Sequence, residues 1–398
     1  MKHLALIAAL AAPLPALAQD PGDWDAVLND ARGQTVYWNA WGGATATNDF
    51  IAWAGEQIAD TYGVTVEHVK LTDTADAVTR VLAEQQSGQD TGGAIDMIWI
   101  NGANFAAMKD AGLLFGPFAE QLPNWRYVDT DGKTVQTDFT VPVEGYEAPW
   151  AMAQVVFMHD TADLAAPLPS MTAILEWAQA NPGRFTYPQP PDFLGTTFLK
   201  QALVDLTGDD DALSRPADEA DYDAVTAPLW SFLEDLTPVL WRSGQAYPAT
   251  GPAQLQLIAD DEIDLAISFS PGEATAAIAN GQLPDTVRTF VLDAGTIGNA
   301  SFVAIPYNSD AKAGAMVLAN FLMSPEAQLR AQDPDVLGYG TVLAMEKLTQ
   351  ADQDAFSALD LGIATLSPQQ LGTVRPEPHP SWMTRIAEDW ESRYGTAQ

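Results

Sequence analysis

Apolar positions along the chain fall into short runs of strand period that alternate with stretches of helical period. Thr35-Val36-Tyr37-Trp38 is a β-prone run, and Asn39-Ala40-Trp41-Gly42-Gly43 interrupts it with loop chemistry. Phe50, Ile51, Ala54 and Ile58 then recur at helical spacing, with Thr47 or Asn48 as the expected cap. The order repeats. Val64 to Leu71 predicts a strand, Asp76 to Gln86 a helix with Val78, Val81 and Leu82 on one face, and Ile95 to Ile100 a buried strand. That strand runs into Asn101-Gly102-Ala103-Asn104 and a short helix to Gly112. Alternating strands and helices imply an α/β protein with a parallel sheet and right-handed crossovers. The loops after the first and third strands then share the carboxyl edge, where open α/β sheets bind ligands.

A second such unit is expected from Ala153 to Met158 as strand, Met171 to Ala180 as helix and Arg184 to Tyr187 as strand. Pro188-Gln189-Pro190-Pro191 is a rigid loop, and Asp192 is placed to cap an amphipathic helix to Leu206. Gly208 to Tyr222, rich in Asp, Ala and Pro, reads as a solvated surface loop; it lacks the Asp-x-Asp-x-Asp-Gly order of a calcium loop. A helix follows around Leu229 to Trp241, then a strand from Ile263 to Phe269, the turn Ser270-Pro271-Gly272, and a helix opened by Glu273. Thr289 to Leu292 and Ser301 to Ile305 are β stretches. From Ala311 onward the chain is mostly helical, with a start at Ser324-Pro325-Glu326.

The N-terminus breaks this rhythm. Lys2 and His3 precede an apolar run from Leu4 to Leu17, and Ala16-Leu17-Ala18 precedes Gln19-Asp20, which reads as a signal peptide over residues 1–18, cut after Ala18. Pro13 and Pro15 interrupt a run too short to cross a bilayer, which takes about 18 unbroken apolar residues. No later segment is long and apolar enough to span, so the mature chain is expected to be soluble and secreted, without membrane insertion. The absence of cysteine leaves neither disulfides nor a lipid-attachment residue, and 398 residues with 47% hydrophobic content suit two domains. The 18 basic and 53 acidic residues give −35, and removing Lys2 gives −36. Nucleic acid and anionic membrane are like-charged partners that such a surface repels, whereas cationic ligands are mildly favoured. Scattered acids also serve solubility alone.

Several strings carry a resemblance. Trp99-Ile100-Asn101-Gly102-Ala103-Asn104-Phe105, Asn181-Pro182-Gly183-Arg184-Phe185-Thr186-Tyr187-Pro188, Pro191-Asp192-Phe193 and Gly298-Asn299-Ala300-Ser301-Phe302 look like the YnjB family of periplasmic ABC-transporter binding proteins. So do Asn320-Phe321-Leu322-Met323-Ser324-Pro325-Glu326-Ala327-Gln328 and Pro376-Glu377-Pro378-His379-Pro380-Ser381-Trp382, where Pro380 departs from the family pattern. The resemblance covers nearly the whole mature chain. It implies the type II periplasmic binding fold, a Venus flytrap with a ligand cleft between two lobes, similar to the iron, thiamine and polyamine binders. Lobe 1 is expected over 19–150 and 272–340, lobe 2 over 151–271, and a C-terminal helical segment packing on both over 341–398, with hinges near Trp150 and Pro271.

Ligand contacts are expected at the strand-to-helix turns. Trp38 and Trp41 offer aromatic faces, or core packing, and Gly42 and Gly43 offer close backbone approach, or turn geometry. Asn101 and Asn104 present amides, or cap a helix. Glu147, the preferred anionic contact, and Trp150 stand before the passage into the second lobe, where a carboxylate beside an indole suits a cation. In the second lobe Asp192, Phe193, Ser270 and Glu273 occupy helix starts, Asp192 with a plain cap as the competing role. Asn299 and Ser301 lie on the return segment, where the resemblance places them near the cleft.

Catalytic patterns are missing: there is no Gly-x-Ser-x-Gly elbow and no His-Glu-x-x-His, and the four His residues are far apart in sequence. The reading is a monomeric, non-enzymatic substrate-binding protein of an ABC importer, without cofactor or metal, that captures a small solute, cationic and thiamine- or polyamine-like, and docks transiently on an inner-membrane permease from the periplasm. The absence of a Tyr-Tyr pair weighs against ferric ion. A secreted glycan hydrolase, suggested by twelve Trp and many acids, is the alternative from another class, and a solute sensor of the same fold is a third.

Overall fold

The computed structural model describes residues 20–208 and 210–395, so the leader expected over 1–18 lies outside the described residues. Two sheets organise the rest. The larger contains β1 (Thr35–Trp41), β2 (Thr65–Leu71), β3 (Met97–Ile100), β6 (Glu147–Gln154), β10 (Thr296–Ala304) and β11 (Val374–Arg375). A short hairpin pairs β4 (Thr137–Asp138) with β5 (Val141–Pro142), and the second sheet joins β7 (Val156–Asp160), β8 (Leu265–Ser268) and β9 (Val287–Phe290) in the order β8-β7-β9.

The expected parallel core is present, since β1 pairs in parallel with both β2 and β3. β10 then lies antiparallel to β3 and to β6, because it is the strand on which the chain returns from the second sheet. Period two explains the burial of β1: Val36, Trp38 and Ala40 are all turned into the first core. Phe50, Ile51, Ala54 and Ile58 of the helix Thr45–Tyr62 meet them, together with the helix Lys312–Leu322, which is buried from Ala313 onward. β1 continues through Asn39-Ala40-Trp41, which read as loop, because each of these residues pairs with β2. The following helix begins one turn earlier than expected, with Ala44 at the cap and Thr47 buried in its first turn.

The second sheet corrects the repeat of the first. β7 runs antiparallel to both neighbours, and Arg184 to Tyr187 contributes only a parallel bridge from Phe185 to Leu265. Helix Phe193–Thr207 starts at the expected Asp192 cap, and its buried side chains fill a second core with Phe185, Tyr187, Leu229 and Leu233. Helix Asp210–Leu213 interrupts the stretch read as surface loop, and Leu213 is buried in that core.

The chain passes between the two bodies at three places. β6 leads to β7 across Gln154 and Val155; β10 carries Ile297 in the second core and Ala300 in the first; and the chain leaves the first core after Phe356 to bury Ala364 beside β8. The return expected near Pro271 therefore comes later, because β9 hydrogen-bonds to β7 and Ala274 and Ala277 pack on the second body. The C-terminal helix Pro380–Tyr394 is an integral part of the second core, where Trp382, Ile386 and Trp390 are buried. Its indoles are satisfied there: Trp390 Nε1 donates to Tyr187 Oη at 2.9 Å and Trp382 Nε1 to the Arg215 carbonyl at 2.8 Å.

Candidate functional site

The loops after β1 and β3 lie at the carboxyl edge of the parallel strands. After β1, Gly42 donates to the Leu71 carbonyl at 3.0 Å and Asn48 Nδ2 to the Gly42 carbonyl at 3.2 Å, which ties the loop to the helix it precedes. The Trp41 indole lies over Gly43, where an added Cβ would stand 2.3 Å from the ring. Trp41 is half-buried and Gly43 exposed, so this loop presents an aromatic edge and bare backbone.

After β3, Asn101 Nδ2 donates to the Ala300 carbonyl at 2.8 Å and to Asp138 Oδ1 at 3.2 Å, and the Gly102 N–H donates to Asp138 Oδ2 at 2.5 Å. Burial pushes the Asp138 carboxyl up to about 7, against the pull of those two donors. Asn101 thus anchors its loop to the hairpin and does not cap the helix Ala103–Asp110, whose cap is Gly102. Asn104 is half-buried in the first turn of that helix.

From the second body, Asp192 Oδ1 accepts from Leu194 N at 2.9 Å and Gly195 N at 3.2 Å, so it is a cap, and Phe193 beside it remains 42% exposed, edge-on to Phe269. Asp73 of the first body lies close enough to add to the upward push of burial on Asp192. Ser268 Oγ donates to Glu273, and the Ser270 N–H donates to Ser268 Oγ at 3.0 Å. Burial raises the Glu273 carboxyl above its ordinary value, and the Ser268 donor opposes the shift.

The bodies touch. Gly272 and Gly338 approach so closely that a Cβ on Gly272 would stand 2.4 Å from the Gly338 Cα. Tyr339, next to it, lies near Glu273 and is held by Thr47 of the first body. Its ring contacts Trp150, against which Trp99 stands edge-on at 4.8 Å.

Four expected contacts are placed elsewhere. Trp38 is 0% exposed and Trp150 1%; both belong to the first core, edge to face at 6.3 Å, with Phe50 stacked on Trp150 at 5.8 Å. Glu147 is 0% exposed, with neither carboxylate oxygen hydrogen-bonded, and burial followed by repulsion from Asp138 pushes it well above the usual carboxylate range. A strand buried on both faces favours the neutral acid over the carboxylate, and the Lys109 charge opposes that shift. Ser301 is buried opposite Ala151 in the β10–β6 ladder.

Asn299 is brought into the cleft through a residue the sequence reading assigned no role. Its Nδ2 donates to Glu377 Oε1 at 3.0 Å, and Glu377 Oε2 accepts from Lys200 Nζ at 2.7 Å, with both charged side chains buried. Burial pushes Lys200 down and Glu377 up, and their attraction opposes both shifts. Asp138, Phe139, Lys200 and Glu377, and Tyr339 beside Glu273, thus lie where the two bodies meet, and sequence reasoning missed them. Glu377 sits between two prolines in the tail motif, and Tyr339 between two glycines, which were the available local signals. Among the described residues, Asp163, Asp261 and Asp264 are the acids close enough to share a cation, and Arg184 already donates to Asp264 and Asp261.

Two bodies joined by crossing strands, with aromatic, amide and carboxylate groups converging between them, define a solute-binding protein. The chain belongs to the bacterial extracellular solute-binding proteins, whose family model matches residues 53–355. Over 396 residues it is 42% identical to Protein YnjB of Escherichia coli (strain K12), covering 100% of both chains. Solved structures share the fold at lower identity. The periplasmic binding protein AfuA of Actinobacillus pleuropneumoniae, with exogenous fructose-6-phosphate bound, is 13% identical with a TM-score of 0.63 over 92% of this chain and 99% of that one. The spermidine/putrescine binder PotD of Streptococcus pneumoniae is 13% identical with a TM-score of 0.58 over 90% and 99%. The protein is a non-enzymatic binder of the periplasmic binding fold, which removes the hydrolase alternative. No helix among the described residues is long and apolar enough to cross a membrane.

Proposed function

We propose that this chain is the periplasmic substrate-binding component of an ABC importer, which captures a small cationic solute by closure of its two bodies and delivers it to an inner-membrane permease. The observation that carries the reading is the contact of the two bodies through Gly272 and Gly338 beside half-buried aromatic groups from both and the half-buried Glu273 of the second. The solute, thiamine- or polyamine-like, rests against Trp41, Trp99, Tyr339 and Phe269, with Glu273 as its anionic partner. Aromatic faces and a carboxylate together favour a cation. Closure is then a population shift driven by contacts to both bodies.

The test is a thermal-shift screen of the purified mature protein against polyamines, thiamine-like cations, sugars and sugar phosphates, followed by solution scattering with each hit. Cations that raise the melting temperature and compact the protein support the proposal. Stabilisation by neutral sugars or sugar phosphates alone overturns the cationic class, and no shift with any compound counts against solute capture.

A further inference from the structure

Lys200 has an unusual position for a lysine. Helix Phe193–Thr207 carries it two turns after Phe193, on the same face, which directs its ammonium into the space between the bodies. There Nζ stands 4.3 Å from the centre of the Phe139 ring and 5.4 Å from that of Phe193, with Glu377 Oε2 at 2.7 Å. The three groups around this charge, and the amide that orients one of them, come from separate stretches of chain. Phe193 belongs to the second body and Phe139 to the β4–β5 hairpin of the first. Glu377 comes from the C-terminal segment, and Asn299, on the crossing strand β10, orients it.

The hairpin tip is built to reach this point. Phe139 and Thr140 take successive left-handed conformations, φ 44° and 72°, which non-glycine residues adopt only when their surroundings hold them there. Gly102 makes room for the ring: it has φ 59°, and a Cβ there would stand 2.9 Å from the Phe139 ring. A buried ion pair is no necessity for stability, since apolar side chains of similar volume fill such a position at least as well. Two aromatic faces, a carboxylate and a neutral amide to orient it are, by contrast, the elements of an ammonium receptor.

We propose that Phe139, Phe193, Glu377 and Asn299 form a primary-ammonium site in the cleft, that the chain's own Lys200 occupies it, and that this occupancy clasps the two bodies together without solute. The clasp runs through Phe139, the part of the cage that the first body brings. A solute's cationic group is kept out of this site and binds on the Tyr339 and Glu273 side. The inference concerns closure of the empty protein, so it stands apart from the identity of the transported solute.

Lys200→Ala removes the atoms of n-propylammonium, which serves as the probe. The melting temperature of Lys200→Ala is expected to rise with millimolar n-propylammonium chloride, with no rise in sodium chloride of equal ionic strength and none for the wild type. Equal responses of wild type and variant overturn the ammonium site. Phe139→Leu keeps both charges and an apolar side chain but removes the ring, so it tests the clasp even where Lys200→Ala fails to fold. Solution scattering of the solute-free proteins is expected to give a larger radius of gyration for Phe139→Leu than for the wild type, with unchanged circular dichroism. Equal radii overturn the clasp.

Discussion

The cleft holds two groups of residues that differ in how completely they are satisfied. Around Lys200, every charge has a partner: Glu377 accepts from Lys200 and Asn299, and Asp138 accepts from Gly102 and Asn101. In the other group Tyr339, Trp41 and Phe269 are half-buried, and Glu273 has Ser268 as its hydrogen-bonding neighbour. Saturated polar groups in a low-dielectric site are rigid and leave nothing for a solute, whereas an under-partnered carboxylate beside open aromatic faces retains capacity to bind. Charge content alone does not distinguish the two groups. Their partners do.

Breaking the saturated group should have the largest effect. Lys200→Met strands Glu377 as a buried unpaired carboxylate, so a loss of about 3–5 kcal/mol in urea unfolding is expected, largely recovered in Lys200→Met/Glu377→Gln. A double variant as unstable as the single one would show that the pair's surroundings, and not its charge, set the cost.

Next comes pH. Asp138 keeps its proton to about pH 7, while an ordinary Asp loses it near 3.8. Between these values the folded state holds the more protons, so stability is greatest below the ordinary value and falls as pH rises through 7, by on the order of 4 kcal/mol from this group. Glu147, raised in the same sense, adds to the fall, and Glu147→Gln should flatten it while leaving solute affinity unchanged. Denaturation midpoints between pH 4 and 9 measure both, and a stability that climbs with pH would refute the assignment.

Gly272→Ala acts on the contact between the bodies. At φ −91° the backbone accepts alanine, but the new Cβ meets Gly338, so the bodies are held apart. Affinity for a solute found in the screen should drop about tenfold, equivalent to 1.4 kcal/mol, with little change in stability. The smallest effects belong to the open group. Tyr339→Phe should cost about 1 kcal/mol of binding. A bound cation should also draw the raised Glu273 carboxyl back toward its ordinary value, so affinity should fall as pH is lowered and that fall should be lost in Glu273→Gln; an unchanged pH dependence in the variant would remove Glu273 from the site.

The first body was legible in the sequence and the second only in part. Phe50, Ile51, Ala54 and Ile58 announce a helix packed on β1, and they are buried there. Asp192 announces a cap, and it is one. Asn39 to Trp41 read as loop because the Gly-Gly that follows draws attention to a turn, while pairing with β2 extends the strand across them. The antiparallel order of β7, β8 and β9 left no local trace, since strand direction depends on where the chain returns from. The half-buried Trp41 and Glu273 lie at the strand-to-helix turns that the pattern points to, but Glu147 and Trp150, expected just before the passage into the second lobe, lie within β6 and are buried.

By itself the sequence determined the α/β alternation, the polar and aromatic turns at the sheet's carboxyl edge, and the acidic, cysteine-free chemistry of the whole, because each of these is a local or additive property of residues. Tertiary structure decided which acids are charged, which tryptophans are core, and which groups meet between the bodies. Lys200 and Glu377 are 177 residues apart. Burial and pairing depend on such distant neighbours, and a carboxylate's role follows from its dielectric surroundings and its partners rather than from its place in the chain.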